Sequence, residues 1–186
     1  MKTKLLLLSV AMTCAFSSAA MAMTKAEHQT QKDSIASDYK INMDKCASLK
    51  ANAKDICVSE AKGAQKIAKA ELASQYDPTA RHTEILSMAK GDAAYDTAKE
   101  RCDDLVGNTK NICQKDAKAA HVKAKEEARV VRVRAATGKV NNSMRKNANE
   151  KENEDNYKAA AARCDSMSGS TKDTCVTDTK AKYGMK

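Results

Sequence analysis

The chain has 186 residues, with 33 Lys and Arg against 24 Asp and Glu, a formal net charge of +9, one Phe and no Trp. So few bulky apolar residues exclude a large compact core, and the excess of cations turns the surface toward anionic partners or serves solubility alone.

The chain opens as a secretory signal would. Lys2 and Lys4 form a positive start, Leu5 to Ala15 an apolar run, and Ala20-Met21-Ala22 a small-residue cleavage site, so residues 1–22 are expected to be removed and the mature chain to begin at Met23. That run is much shorter than the roughly 20 residues a membrane-spanning helix needs, and Cys14 lacks the context of a lipoprotein site. No transmembrane span is expected in the mature chain, and the compartment implied is the periplasm.

Removing Lys2 and Lys4 takes +9 to +7 and leaves six cysteines. An even number in an oxidising compartment favours disulfides over thiols. Only 18 of the 164 remaining residues are Leu, Ile or Val, so alanine must supply helix propensity without much buried area.

The cysteines fall in a threefold repeat. Cys46 and Cys57, Cys102 and Cys113, and Cys164 and Cys175 are each separated by eleven positions, and Tyr39, Tyr95 and Tyr157 stand seven places before the first Cys. A basic residue directly precedes that Cys (Lys45, Arg101, Arg163), and a Lys stands three before the second (Lys54, Lys110, Lys172). An acid and a Lys follow at matching distances: Glu60 and Lys62, Asp116 and Lys118, Asp178 and Lys180. This is an internal repeat.

The middle of each repeat reads as a turn between two helices, with Gly107 as a left-handed cap of the first helix and Asn108 or Ser170 as N-cap of the second. Facing Cα atoms of helices packed roughly 8–10 Å apart stand about 3.5–5.5 Å from one another, overlapping the range a disulfide needs. Six cysteines allow fifteen connectivities, and the repeat selects the three internal bridges. Each would stabilise its loop by roughly 3 kcal/mol. The fold class expected is all-α, three helical hairpins each with a disulfide across its turn, elongated or loosely bundled.

In chain order, residues 23–34 are polar and expected to fray, and the first helix covers Ile35 to Leu49. Repeat one, 23–76, has Ala51 where Gly107 and Gly169 stand, so two readings remain open: a turn at Ala51, or an unbroken helix from Lys45 to Leu72 whose cysteines pair elsewhere. Asp77-Pro78 opens repeat two, 77–137, with a kink expected at Gly91. Residues 138–156 read as a basic and polar linker, of which Asn147 to Asn156 is either solvated linker or a helix start, and 157–186 as the third repeat, with a short return helix ending near Tyr183-Gly184.

Residues 129–146 carry Arg129, Arg132, Arg134, Lys139, Arg145 and Lys146 and no acid. They are candidate anion-binding residues for lipopolysaccharide phosphates; nucleic acid is disfavoured because the segment has no aromatic residue for bases to stack on. The competing reading is a helix C-terminus that favours cations, with a hinge at Thr137-Gly138. Neither a catalytic group, a metal cluster nor a cofactor motif is legible: His28, His82 and His121 stand singly, there is no C-x-x-C, and the Tyr of each repeat reads as packing.

The pattern Y-x6-[KR]-C-x2-[LM]-x-G-[NS]-x-K-[DN]-x-C-x2-[DE]-x-K, with an Ala/Lys-rich return helix and the ending AKYGMK, resembles a family of small periplasmic proteins of Gram-negative bacteria, some labelled TolA-like cell-envelope proteins. Repeat one departs from it at Ala51. The resemblance implies a role in the cell envelope; together with the missing catalytic motifs and the positive charge, the expected reading is a non-enzymatic structural or binding module whose partners are anionic envelope polymers or another periplasmic protein. The alternative is a stress- or redox-responsive protein that cycles its cysteine pairs. Mass spectrometry of unreduced peptides is expected to give the links 46–57, 102–113 and 164–175; any link between repeats would overturn the repeat reading.

Overall fold

The computed structural model describes residues 23–186, so the signal-peptide reading of residues 1–22 lies outside the described residues. The described residues form six helices and no strand: α1 (Lys25–Ala47), α2 (Ala51–Tyr76), α3 (Ala80–Cys102), α4 (Gly107–Thr137), α5 (Asn142–Cys164) and α6 (Gly169–Tyr183). Among them, each helix packs against its neighbours in sequence and against no other. The result is a single row of helices, without the second packed layer on which most domains build a core.

Local chemistry sets the helix starts. Thr24 and Glu27 form a capping box: the Glu27 amide donates to Thr24 Oγ1 (3.2 Å) and the Thr24 amide to Glu27 Oε2 (2.8 Å). Residues 25–34, expected to fray, are therefore helical. Thr79 caps α3 by accepting from the His82 amide at 3.1 Å, directly after Asp77-Pro78. Asn141 caps α5 by accepting from the Met144 amide at 2.8 Å. The supposed linker 138–156 thus contributes only residues 138–141 to a connection, and the rest belongs to α5.

Three disulfides join Cys46 to Cys57, Cys102 to Cys113 and Cys164 to Cys175, with Cα–Cα distances of 5.6, 5.6 and 5.8 Å. The three turns share one construction. The amides of Leu49, Leu105 and Met167 donate to the carbonyls of Cys46, Cys102 and Cys164 at 3.0–3.1 Å. One residue then takes a left-handed conformation: Gly107 at φ +58, Gly169 at φ +57 and, in repeat one, Ala51 at φ +49. The helix is interrupted at residues 48–50, which rules out the unbroken helix from Lys45 to Leu72. Gly107 opens the second helix and does not close the first, contrary to expectation. The residues at the N-cap position are Lys50, Val106 and Ser168, none with a side-chain cap; Asn108, expected there, lies inside α4 and donates to the Ala162 carbonyl instead. The repeated Lys closes the turn from outside: Lys110 pairs with Asp103 at 2.8 Å and Lys172 with Asp165 at 3.3 Å, while Ala47 takes the acid's place in repeat one.

Burial is as thin as the composition requires. The buried apolar residues are Cys46, Cys102, Cys164, a set of alanines and Leu72. Small side chains let the helices close on one another. A Cβ at Gly63 would stand 2.8 Å from the Cβ of Ala93, and one at Gly91 would stand 2.8 Å from that of Ala124. Gly91 is thus a point of close approach, and α3 continues through it as one helix.

A left-handed alanine is strained relative to glycine. Ala51→Gly is expected to stabilise the protein by about 1 kcal/mol, read as a higher urea midpoint at unchanged slope, and Gly107→Ala to destabilise it by a similar amount.

Candidate functional site

The basic segment lies where α4 ends and α5 begins, at the opposite end of both helices from their disulfides. Half-buried Val130, Val131 and Val133 hold the last turns of α4 in the row, and Gly138 at φ +69 terminates the helix after Thr137. The absence of acids from residues 129–146 does not leave all six cations free. Arg129 Nη1 donates to both carboxylate oxygens of Glu126, at 3.2 and 3.4 Å. Arg132 reaches across to Glu84 on α3 at 3.2 Å, and Lys146 lies 3.8 Å from Glu150. Glu126 is buried and also accepts Lys151 from α5 at 3.6 Å. Arg134, Lys139 and Arg145 remain, exposed and with no acidic partner among the described residues. Arg134 suits the negative end of α4, whereas Arg145 stands near the positive end of α5, whose first turn has no acid.

A second cluster crosses three helices. Asp92 on α3 accepts Lys66 of α2 at 2.6 Å on one oxygen, and His121 Nε2 of α4 lies 2.7 Å from the other. The His121 ring stacks on Tyr95 with centroids 4.4 Å apart and planes 3° from parallel, and Lys99 Nζ stands 5.0 Å above the Tyr95 ring. Burial pushes the Asp92 carboxyl up, but the hydrogen bonds and charges of Lys66 and His121 outweigh it and hold its pKa below the usual carboxylate value. Asp92 is engaged on both oxygens from two other helices, so the arrangement clamps α2, α3 and α4 together. His82 sits at the start of α3 with Nδ1 2.6 Å from the Asp77 carbonyl, and the His28 ring packs on Tyr76 at a 31° tilt, closing the far end of the α1–α2 pair. Among the described residues no three His, Cys, Asp or Glu side chains converge as a metal site would need.

The disulfide cysteines are unequally placed: Cys46, Cys102 and Cys164 are buried, while Cys57, Cys113 and Cys175 are half-buried.

The matched charges of the repeat prove to be contacts between helix pairs, which sequence reasoning missed. Arg101 pairs with Glu60 at 2.6 Å, and Arg163 binds both oxygens of Asp116 at 2.7 and 2.8 Å. The signal was present as fixed spacing, but partners more than forty residues apart cannot be matched from one chain's periodicity. Compared with family models, characterised proteins and solved structures, the chain matches none.

The depressed Asp92 pKa means that its stabilising contribution is present above the ordinary carboxylate range and lost as pH falls through the lowered value. Asp92→Asn is expected to lower stability by about 1 kcal/mol at neutral pH and to flatten the acid limb of the unfolding profile, followed by circular dichroism.

Proposed function

We propose that the chain is a non-enzymatic periplasmic protein of three disulfide-stapled helical hairpins, serving the cell envelope as a structural module that binds anionic polymers. One observation carries this reading: Arg134, Lys139 and Arg145 flank the α4–α5 connection, exposed and with no acidic partner among the described residues, in a segment, 129–146, that contains no acid. A polyanion with closely spaced phosphates, such as lipopolysaccharide, supplies the missing charge and relieves the cation near the positive end of α5. The signal-like first 22 residues and the disulfides support an oxidising, extracytoplasmic compartment. No described helix is long and apolar enough to cross a membrane. The TolA-like resemblance of the repeat points to the same setting.

The redox alternative asks a thiolate to attack one of the paired sulfurs. Burial of Cys46, Cys102 and Cys164 weighs against easy exchange, and each bridge supports a helix pair that has little else to hold it.

The mature protein is expected to co-sediment with lipopolysaccharide vesicles at low salt and to be released as salt rises. Replacing Arg134, Lys139 and Arg145 together by Gln should weaken binding on the order of a hundredfold at about 1 kcal/mol per charge. Absence of low-salt binding, or binding unchanged by the triple substitution, would sink the proposal.

A further inference from the structure

The seams between helix pairs, α2 on α3 and α4 on α5, are made by the same repeat positions. In each, the cation directly before the first Cys of one repeat meets the acid three places beyond the second Cys of the repeat before it: Arg101 with Glu60 at 2.6 Å, Arg163 with Asp116 at 2.7 Å. In each, the amide one place beyond the left-handed residue donates to the carbonyl two places before the next repeat's first Cys. Asn52 Nδ2 donates to the Glu100 carbonyl at 2.7 Å, and Asn108 Nδ2 to the Ala162 carbonyl at 3.2 Å. Every helix pair therefore has two different faces. The leading face, on α1, α3 and α5, offers a cation and a last-turn carbonyl; the trailing face, on α2, α4 and α6, offers an acid and a side-chain donor.

Three pairs make two seams and leave one face of each kind at the ends of the row. At one end is the leading face of α1, with Lys45 and the carbonyl of Asp44 at the matching positions. Lys45 is exposed and donates only to Asn42 of its own helix, at 3.1 Å. Ile41 is 50% exposed on this helix, where the equivalent Thr97 and Ala159 are buried against the preceding pair. At the other end is the trailing face of α6, with Asp178 and the Ser170 hydroxyl, both exposed, and Asp178 has no cationic partner among the described residues.

We propose that a second copy of this chain occupies these faces head to tail: α6 of one copy packs on α1 of the next, with Lys45 facing Asp178 and the Ser170 hydroxyl directed at the Asp44 carbonyl. The new seam repeats one the chain already makes twice, and its charges are complementary. Because the two faces differ, the contact is heterologous and adds copies in series. With 15 residues, α6 is shorter than α2 at 26 and α4 at 31, so this seam is weaker than the internal ones and association is concentration-dependent.

Sedimentation equilibrium of the oxidised mature chain at low salt should show an average mass rising with concentration. Lys45→Glu and Asp178→Lys, each at an exposed position, should each hold the protein monomeric, and the double variant Lys45→Glu/Asp178→Lys should restore association by exchanging the charges. Zero-length carbodiimide coupling should join Lys45 to Asp178 in the wild type only between copies, since α1 and α6 make no contact within one. A monomer mass up to about 1 mM would overturn the proposal. So would association that the single reversals leave intact, or a double variant that fails to associate.

Discussion

Alanine faces bury too little surface to hold two helices together, and this constraint shapes the rest of the molecule. A leucine seam can tolerate some freedom in spacing and still exclude water. A seam of alanines gains its few contacts only when the backbones come very close, as at Gly63 on Ala93 and Gly91 on Ala124. Holding that distance costs chain entropy that such small side chains cannot offset. The disulfide supplies what is missing, contributing roughly 3 kcal/mol per closed loop by limiting the unfolded chain. It is placed beside the turn, where it also fixes the register of every contact further along the pair. The buried member of each bridge, Cys46, Cys102 or Cys164, is the largest fully buried side chain its pair has.

Between pairs no disulfide exists, and polar chemistry takes over. Asn52 and Asn108 each satisfy a carbonyl in the last turn of the next pair's leading helix, and from that helix Arg101 and Arg163 each reach back to an acid on the preceding pair's trailing helix. Exposed ion pairs are worth little singly. Their value here is positional: with featureless alanine surfaces, a hydrogen bond and an ion pair at fixed heights are what distinguish the correct register from one shifted by a turn. Since each helix touches only its neighbours, stability is a sum of pair terms and seam terms along one dimension, as in other repeat proteins.

This division explains what could be read in advance. The cysteines, the break at Asp77-Pro78 and the end of the last helix near Tyr183-Gly184 are set by interactions within a few residues, and they are visible in the chain. The helical start of α1 was visible too, in Thr24 and Glu27 three residues apart, but its polar composition suggested fraying. A left-handed glycine is more familiar as an ending than as a beginning, so the sequence alone gives Gly107 to the first helix of its pair. The contact that makes Gly91 small, Ala124 on the next helix, lies far along the chain. The basic segment is only partly legible. Its free charge depends on Glu84, which the fold brings from another helix, and on Glu126, which precedes the segment by a single turn.

Unpaired cations on a Lys-rich surface carry little message where acids are interleaved along the same helix, since the local charge stays close to balance. Around the α4–α5 connection that supply fails for a geometric reason. Glu126 is already shared by Arg129 and Lys151, Glu84 is held by Arg132, and the first turn of α5 provides no acid of its own. Arg134, Lys139 and Arg145 lie beyond the last carboxylate the row can offer. An acid near the start of α5 would have answered both the helix's positive end and these cations, and would have favoured folding. Its absence leaves the local positive charge uncompensated among the described residues, so this corner, and not the repeated cysteines, is where the proposed anionic partner would gain most.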